Sequence, residues 1–420
     1  MTEMLRVKNA FPLSLRRVLL LGLCLRIVVI ILFSHLESNF YWEYGEIAKN
    51  AVAGKGLSFY VLQNDSLDYH FSINAKPFPT ALMSPGYVFF LIPFLSIDNV
   101  VAANILLILV QVIVSLVAIA LVFHFSSRLF SPRVGLLSAL AAAILPDFAY
   151  AVISFSPTVL FHLGLIVLFI LLANRRDNFS AADTALLSFF CALLTYLRFE
   201  FIVYVFALPL LLRPSGKIKE GILAVIVTIC MLLPWSIRNY SAFGEIVPLG
   251  TGEGLNLYRG NNAGGIGNWG DETTNYELLQ IPKNRRFEIA FDSLFRERSW
   301  QFIRSHPYED VKNISAKTFQ LWLFSSLRPT PYDALYIVAS LFVFIFFLIG
   351  IVKTWNWQKF NYLYVFLFYS TILAMVFFAL PRHQTMMRIA MLPFFGAGVE
   401  VVWKAFNGST RRMRDEPHRS

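Results

Sequence analysis

Long apolar runs that contain almost no charged residues recur along the whole chain, and they restrict its fold more than any other feature. The hydrocarbon core of a bilayer is crossed by a helix of roughly 20 apolar residues. Runs of this kind predict spans at residues 18–35, 100–124, 134–153, 157–174, 182–198, 199–212, 219–235, 332–352, 361–380 and 389–405. The sequence therefore predicts an all-α polytopic membrane protein with about ten transmembrane helices.

The composition excludes a soluble domain and several kinds of partner. The chain is 57% apolar and 15% charged, whereas soluble domains have about 45–50% apolar and about 25% charged residues. Cys24, Cys191 and Cys230 each lie within an apolar run, so neither a disulfide framework nor a zinc site is indicated. The net charge of +10 indicates basic cytoplasmic loops, so we expect membrane lipids and no nucleic acid as partners.

The distribution of Lys and Arg predicts the orientation, because short cytoplasmic loops carry the excess of positive charge. If the N-terminus is cytoplasmic, the inner loops hold 18 basic residues and the short outer loops hold six, so both termini are predicted to lie inside. The predicted division is a cytoplasmic N-terminus (1–17), a transmembrane module (18–235) with a first outer loop (36–85), an outer-face lobe (236–331), C-terminal transmembrane helices (332–405) and a basic cytoplasmic tail (406–420).

Three further patterns concern the membrane. The run from Tyr87 to Leu95 is too short to span and contains Pro93, which favours a re-entrant or interfacial helix. Residues 287–302 have apolar side chains at helical spacing between charges, which predicts an amphipathic helix lying on the bilayer. Arg26 lies within the first predicted span, where a charge is costly, and we expect it to pair with an acid of a neighbouring helix.

The first outer loop contains candidate catalytic carboxylates. Glu43 and Glu46 are three residues apart, so a helix would place both on one face. Two interpretations remain open at this point. The segment is either a solvated amphipathic helix with an aromatic belt at headgroup depth, or it places a carboxylate to take a proton from an acceptor.

Residues 234–240 and 256–262 form a second group of polar positions at the predicted outer surface. Arg238 follows Pro234 and Trp235, and an arginine just outside a bilayer can bind phosphate through two parallel hydrogen bonds. The glycines that follow allow backbone amides to approach an anion. The alternative is a Trp/Arg interfacial anchor followed by an ordinary loop.

Five motifs occur in series: Tyr-x-x-Ile-Ala-x-Asn…Gly-x-Gly (44–56), Pro-Gly-Tyr (85–87), Leu-Arg-Phe-Glu (197–200), Pro-Trp-x-x-Arg-Asn-Tyr (234–240) and Leu-Tyr-x-Gly-Asn-Asn (257–262). Each is weak alone. Together they resemble the bacterial GT-C glycosyltransferases of family 39, relatives of the lipid A aminoarabinose transferases and protein O-mannosyltransferases. Segment 381–393 also resembles the arginine-rich start of a late span in that family, and the resemblance covers about residues 15–405.

The resemblance implies a GT-C-like bundle with a small outer-face lobe. It further implies an enzyme that moves a hexose or pentose from a polyprenyl-phosphate-linked donor to an envelope glycolipid, polysaccharide or protein. The reaction would take place on the outer face of the bacterial cytoplasmic (inner) membrane. No metal and no cofactor are expected, because no outer loop contains Asp-x-Asp and the histidines lack metal-site spacing.

In the related enzymes the presumed base is an acid four residues before the motif tyrosine, a position that is Phe40 in this chain. Glu43, Glu46 or Asp147 could take over that role, and we favour Glu43 because it is nearest to the expected position. Asp147, near the outer end of the third predicted span, could equally be an interfacial residue that hydrogen-bonds a neighbouring helix.

Arginines at the outer ends of spans are the candidates for binding the donor phosphate: Arg198, Arg238, Arg259, Arg382 and Arg388. Each could instead be an anchor whose charged end reaches the interface. We expect Arg238 and Arg388 to converge on one cavity. The expected substrate pocket comprises Tyr44, Tyr87, Tyr258, Asn261 and Asn262.

Two functions without this chemistry remain open at the level of sequence. One is a lipid or sugar transporter or flippase, which typically has two related halves with paired broken helices. No such halves are visible in the sequence. The other is a non-catalytic subunit of an envelope-assembly complex.

Overall fold

A computed structural model of the chain describes residues 14–59, 61–63, 66–68, 76–174, 180–263, 276–277, 280–282, 284–324 and 333–415. The helices, in chain order, are α1 (Leu15–Phe33), α2 (Trp42–Val52), α3 (Pro85–Leu95), α4 (Val100–Leu129), α5 (Pro132–Ile144), α6 (Pro146–Tyr150), α7 (Thr158–Asn174), α8 (Ala181–Leu197), α9 (Ile202–Val205), α10 (Leu208–Leu212), α11 (Ile218–Phe243), α12 (Glu253–Gly260), α13 (Phe287–Ser305), α14 (Pro307–Trp322), α15 (Asp333–Lys353), α16 (Trp357–Val376) and α17 (Pro381–Asp415). Short 3₁₀ turns occupy Ala151–Ile153, Phe199–Phe201 and Arg213–Ser215.

The first outer loop adds a small hairpin that the all-α prediction did not include. Its strands, β1 (Val61–Gln63) and β2 (Ser66–Asp68), pair antiparallel with Leu62 opposite Leu67. Apart from this hairpin, the described regular structure is helical, so the predicted fold class is confirmed.

Among the described residues, five helices are each long and apolar enough to cross a bilayer: α4, α11, α15, α16 and α17. A sixth span is obtained if α5 and the segment Pro146–Ile153, which are bent by 59° relative to each other, are counted together. α7 and α8 have 17 residues each. α1 has 19 residues but carries Arg16, Arg17 and Arg26. The prediction of a polytopic helical membrane protein is therefore confirmed, whereas five or six of the ten predicted spans are long and apolar enough among the described residues.

The predicted span 199–212 differs from the structure. It is divided into the 3₁₀ turn Phe199–Phe201, α9 and α10, and is not one helix. Pro209 lies in the first turn of α10. Because proline has no amide hydrogen, it cannot donate the bond that would continue a helix from α9.

Two helices extend further towards the predicted outer surface than expected. α11 continues through Pro234 to Phe243, and α17 begins at Pro381 instead of residue 389. As a result, Arg238 lies near the end of one helix and Arg388 lies inside another, although both were predicted outside the spans. Their side chains therefore point from rigid elements, which restricts what each can contact.

The predicted amphipathic helix is α13, and its apolar face is buried within the protein. Phe287, Phe291 and Phe295 are buried, and the ring of Phe295 lies 5.0 Å from that of Tyr258 on α12. A Cβ at Gly254 of α12 would lie 2.0 Å from the carbonyl oxygen of Asp292, so the two helices touch through their backbones. The expectation that this face lies on the bilayer is therefore wrong.

Arg26 is fully buried in α1, as expected for a mid-span charge with internal partners. Its Nε donates to the Ser115 hydroxyl (2.9 Å), and one Nη donates to the carbonyls of Gly22 (3.0 Å) and Ala143 (3.3 Å). The expectation of an acidic partner is not met among the described residues. A hydroxyl and two backbone carbonyls disperse the charge instead, and they join α1 to α4 and α5.

Candidate active site

Two of the five predicted phosphate-binding arginines meet where α8 ends and α17 begins. Arg198 is the C-terminal cap of α8, and its Nε donates to the Glu200 carboxylate at 2.5 Å. Arg382 is the second residue of α17 and is exposed. Arg382 interacts electrostatically with Arg198, Glu43 and Glu200. The two guanidinium groups therefore share one electrostatic environment with two carboxylates.

A third predicted arginine joins this group from α12. The Arg259 guanidinium lies 4.6 Å from the centre of the Phe378 ring, and that ring lies 5.7 Å from the ring of His383. His383 interacts electrostatically with Arg198, Arg259 and Arg382. The arginine cluster (Arg198, Arg259 and Arg382) thus acts electrostatically on the first turn of α17, where the helix dipole is positive.

Tyr44 places α2 beside the arginine cluster. Burial raises the pKa of Tyr44, and the positive charges of Arg198 and Arg382 oppose that rise. Its ring meets the ring of Tyr87 edge-on at 5.4 Å. Tyr87 itself is fully buried and its hydroxyl donates to the Gln111 side chain (3.2 Å). Tyr44 is therefore the member of this pair that can reach a bound substrate.

Backbone contacts hold the Pro-Gly-Tyr motif (85–87) next to Arg198. A Cβ on Gly86 would lie 2.6 Å from the carbonyl oxygen of Tyr196, so the start of α3 lies directly against the end of α8. The Ser84 hydroxyl also donates to the Leu197 carbonyl at 2.6 Å. These backbone contacts hold the first outer loop at the arginine cluster.

The two candidate carboxylates of α2 have different surroundings. Glu46 is buried and forms a 2.8 Å ion pair with Lys49, one turn further along the helix. Glu43 is only half-buried and interacts with Arg382. Of the two, Glu43 is the one that faces the arginine cluster.

Asp147 and Arg388 pair with each other inside the bundle. Their side chains are 7% and 3% exposed and form a close ion pair, and Arg388 also donates to the Ser340 hydroxyl at 2.5 Å. This arrangement joins α17 to α6 and α15. It matches the interpretation of Asp147 as a residue that bonds to a neighbouring helix.

Arg238 holds the first outer loop in place. Its two terminal nitrogens donate to the carbonyls of Thr80 and Leu57, both at 2.6 Å. The neighbouring Asn239 donates to the carbonyls of Val247 and Leu249 (3.1 Å each). The structure does not bring Arg238 and Arg388 together, because they share no contact and bind different elements. The expected common cavity is therefore not formed by this pair.

The three remaining predicted pocket residues are buried and hold the loop before α17. Asn261 donates to the Val376 carbonyl at 2.8 Å and accepts a bond from Lys317 at 2.8 Å. Asn262 donates to the carbonyl of Tyr258 at 2.7 Å. A Cβ at Gly260 would lie 1.7 Å from the Phe377 carbonyl oxygen. Tyr258, Asn261 and Asn262 thus position Arg259 and the start of α17, instead of lining an open pocket.

The sequence did not identify Glu288, a buried carboxylate of α13 that joins the lobe to the first outer loop. It accepts hydrogen bonds from the amide of Ala81 (2.7 Å) and from the hydroxyl of Thr251. Burial raises the pKa of Glu288 to about 7, and the nearby Arg238 opposes that rise. Nothing in its local sequence distinguishes it from Glu297, the exposed acid of α13, because the partners of Glu288 are distant in the chain.

No metal-binding group of three His, Cys, Asp or Glu residues is found in the part of the chain that the structure describes. The site that the described residues do form combines three arginines with two half-buried carboxylates, Glu43 and Glu200, of which Glu200 is paired with Arg198. Such a site can bind a phosphate-like anion and accept a proton beside it.

The chain is similar in structure to the oligosaccharyltransferase of the archaeon Archaeoglobus fulgidus. Its apo form superposes with a TM-score of 0.54 at 12% identity, over 97% of this chain and 52% of that chain. A complex of oligosaccharyltransferase AglB from the same organism with an inhibitory peptide and a dolichol-phosphate gives 0.54 at 11% identity, over 97% and 52%. A complex with Zn and sulfate gives 0.54 at 13% identity, over 93% and 49%.

The present chain spans about half the length of these structures. No protein-family model and no curated protein sequence matches it. At this low identity the likeness establishes the fold alone, a GT-C-like bundle of membrane helices.

Proposed function

We propose that the chain is an integral-membrane glycosyltransferase that uses a polyprenyl-phosphate-linked sugar. The observation that carries this proposal is the meeting of Arg198, Arg259 and Arg382 around the first turn of α17, beside Glu43. The fold supports it, because the similar structures are oligosaccharyltransferases, one of them in complex with a dolichol-phosphate. Lipid phosphates and sulfate are both tetrahedral anions of the kind an arginine cluster binds.

The arginine cluster would bind the phosphate of the donor. When the bond between the anomeric carbon and the phosphate oxygen breaks, negative charge grows on that oxygen. Preorganised cations stabilise this charge without moving during the reaction. Arg382 lies in the first turn of α17, so the positive end of that helix dipole adds to the positive charge of the Arg382 side chain. The lipid chain would lie between the spans, with its phosphate at their ends.

Glu43 would act as the general base. The acceptor hydroxyl oxygen attacks the anomeric carbon, the polyprenyl phosphate leaves, and the hydroxyl proton passes to the Glu43 carboxylate. A base placed in this way contributes roughly 10²–10⁴-fold to the rate. Tyr44, next to Glu43 on the same helix, would contact the sugar.

The finer assignment rests on the sequence motifs. We propose a bacterial enzyme of family 39, a hexosyl or pentosyl transferase of the inner membrane, with the site on the outer face. The two predicted outer regions lie on one side of the protein, since Thr251 donates to the Ala81 carbonyl at 3.1 Å. The acceptor would be an envelope glycolipid, polysaccharide or protein, and one similar structure holds an acceptor peptide tethered by a disulfide bond.

Binding of a short-chain polyprenyl phosphate to the purified protein tests the arginine cluster. Arg382→Gln should weaken binding at least tenfold, and Arg382→Lys should also weaken it because a lysine lacks the planar fork. Arg304, an exposed residue of the last turn of α13, provides the matched control, and Arg304→Gln should bind as the wild type does. Equal binding by all three variants would rule out a donor-phosphate site at the arginine cluster.

The glycosyltransferase proposal itself is tested by deleting the gene and comparing envelope glycans by mass spectrometry. One missing sugar should be restored by the wild-type chain and not by Glu43→Gln. A transporter or assembly subunit would instead be restored fully by Glu43→Gln expressed at normal membrane levels.

A further inference from the structure

A second group of basic side chains lies at the opposite end of the bundle from the arginine cluster. Near the start of α4, Asn104 donates to the carbonyls of Leu36 (2.7 Å) and Ser38 (3.0 Å), next to the first outer loop. Arg128 is near the other end of α4, about 36 Å away at 1.5 Å per residue. This distance exceeds the thickness of the hydrocarbon core, so the two groups belong to opposite membrane surfaces.

At this end, α4, α7 and α16 enclose a cavity of about 150 Å³, which we call the inner cavity. Its apolar wall consists of Phe125, Leu129, Ile170 and Ala173. Its polar groups come from all three helices and are those of His124, Arg128, Asn174, Lys359 and Tyr362. None of these lining residues is acidic, so the inner cavity has a net positive charge.

The cations of the inner cavity come from two different helices, α4 and α16. Arg128 and His124 lie one turn apart on α4 and are exposed, and neither side chain forms a hydrogen bond or ion pair with the described residues. The Lys359 ammonium donates to the Leu129 carbonyl at 2.6 Å. This bond and the Phe360 ring, whose centre lies 5.1 Å from the ammonium, fix the position of the Lys359 charge at the inner cavity. Two cations on separate helices therefore share one small cavity.

We propose that the inner cavity binds the phosphate group of an anionic membrane phospholipid. The guanidinium of Arg128 matches a phosphate through two parallel hydrogen bonds, and Lys359 adds a point charge from the facing helix. The apolar wall suits the glycerol and the first carbons of an acyl chain. Basic cavities between transmembrane helices on the cytoplasmic side are suited to anionic lipid head groups. This site goes beyond the proposed glycosyltransferase reaction and does not depend on it.

Native mass spectrometry of the full-length protein, released from detergent with added lipid, provides the test. Phosphatidylglycerol should bind as discrete adducts at lower concentration than zwitterionic phosphatidylcholine. Arg128→Gln should weaken phosphatidylglycerol binding about fivefold, which corresponds to about 1 kcal/mol for one basic residue near an anionic lipid. Because the Arg128 side chain forms no hydrogen bond or ion pair with the described residues, this variant should fold normally. The double variant Arg128→Gln/Lys359→Gln should lose about 25-fold.

Lys353, an exposed residue at the end of α15 on the same side of the bundle, is the matched control. Lys353→Gln removes one charge outside the inner cavity and should leave lipid binding unchanged. Equal losses of lipid binding for Lys353→Gln and Arg128→Gln would overturn the proposal, because they would show that lipid binding depends on the net charge of the protein and not on the inner cavity. If inorganic phosphate displaces phosphatidylglycerol at similar concentrations, the site takes free phosphate and the lipid assignment is wrong.

Discussion

Removing Arg388 should destabilise the protein strongly, because it leaves the Asp147 carboxylate buried without its cation. The two side chains are 3% and 7% exposed, and Arg388 also bonds to Ser340. Breaking a buried ion pair by removing one partner costs about 3–5 kcal/mol, because it leaves an uncompensated buried charge, whereas replacing both partners with well-packed apolar residues of similar volume is often close to neutral. Of that loss, the bond to Ser340 contributes about 1 kcal/mol. We therefore expect Arg388→Gln to lower the free energy of unfolding by about 3–5 kcal/mol.

A double-mutant cycle with Asp147→Asn measures the coupling. Each single variant should unfold at lower denaturant concentration in detergent micelles. The double variant should regain most of the loss, with a coupling energy of about 3 kcal/mol. Additive losses in the double variant would refute the reasoning, since they would mean that the two charges do not compensate each other.

The same double variant decides whether Asp147 is the catalytic base. Asp147→Asn/Arg388→Gln lacks the carboxylate but should retain the fold, so its transfer rate reports on chemistry. We expect that rate to stay within about tenfold of the wild type, because neither side chain belongs to the arginine cluster. A loss of about 10² or more at normal membrane levels would move the role of base from Glu43 to Asp147.

Three further outcomes follow from the contacts described above. Glu43→Gln should reduce transfer by at least about 10²-fold, whereas Glu46→Gln should mainly lower thermal stability, because Glu46 pairs with Lys49; equal rates for both variants would exclude Glu43. Gly260→Ala should cost about 1–3 kcal/mol of stability, since its Cβ would meet the Phe377 carbonyl oxygen, and an unchanged melting temperature would contradict that contact. Glu288 binds its proton more tightly in the folded chain (pKa about 7) than in the unfolded chain (4.5), so stability should fall as pH rises between these values. Glu288→Gln should flatten that dependence in melting curves from pH 5 to 8, and an unchanged slope would contradict it.

The sequence predicted the helical membrane class, and it singled out several members of the proposed site, because both depend on local signals. Apolar runs define spans without knowledge of their neighbours. The motif around Tyr44 and the arginines at helix ends were recognisable for the same reason. Arg198, Arg259 and Arg382 all lie at or beside helix ends, where the chain leaves the apolar environment.

The partners of the other predicted residues could not be predicted, because they are distant in sequence. Arg388 pairs with Asp147 across 241 positions, and Arg238 bonds to carbonyls 158 and 181 positions away. Nothing near these arginines distinguishes a ligand-binding guanidinium from one that holds two helices together. Helix boundaries failed for a related reason: α11 passes through Pro234, where tertiary packing outweighs the local tendency of proline to end a helix.

The predicted phosphate-binding arginines differ in whether their hydrogen-bond donors are already bonded within the protein. A guanidinium that holds a fold together must have its donors satisfied, since an unpaired buried donor costs about 1–3 kcal/mol. Arg238 and Arg388 fit this description, because one bonds to two backbone carbonyls and the other to a buried carboxylate and a hydroxyl. Arg382 is exposed at a helix start and makes no side-chain hydrogen bond with the described residues. Its charge is therefore the one that an incoming phosphate can neutralise without breaking an existing contact.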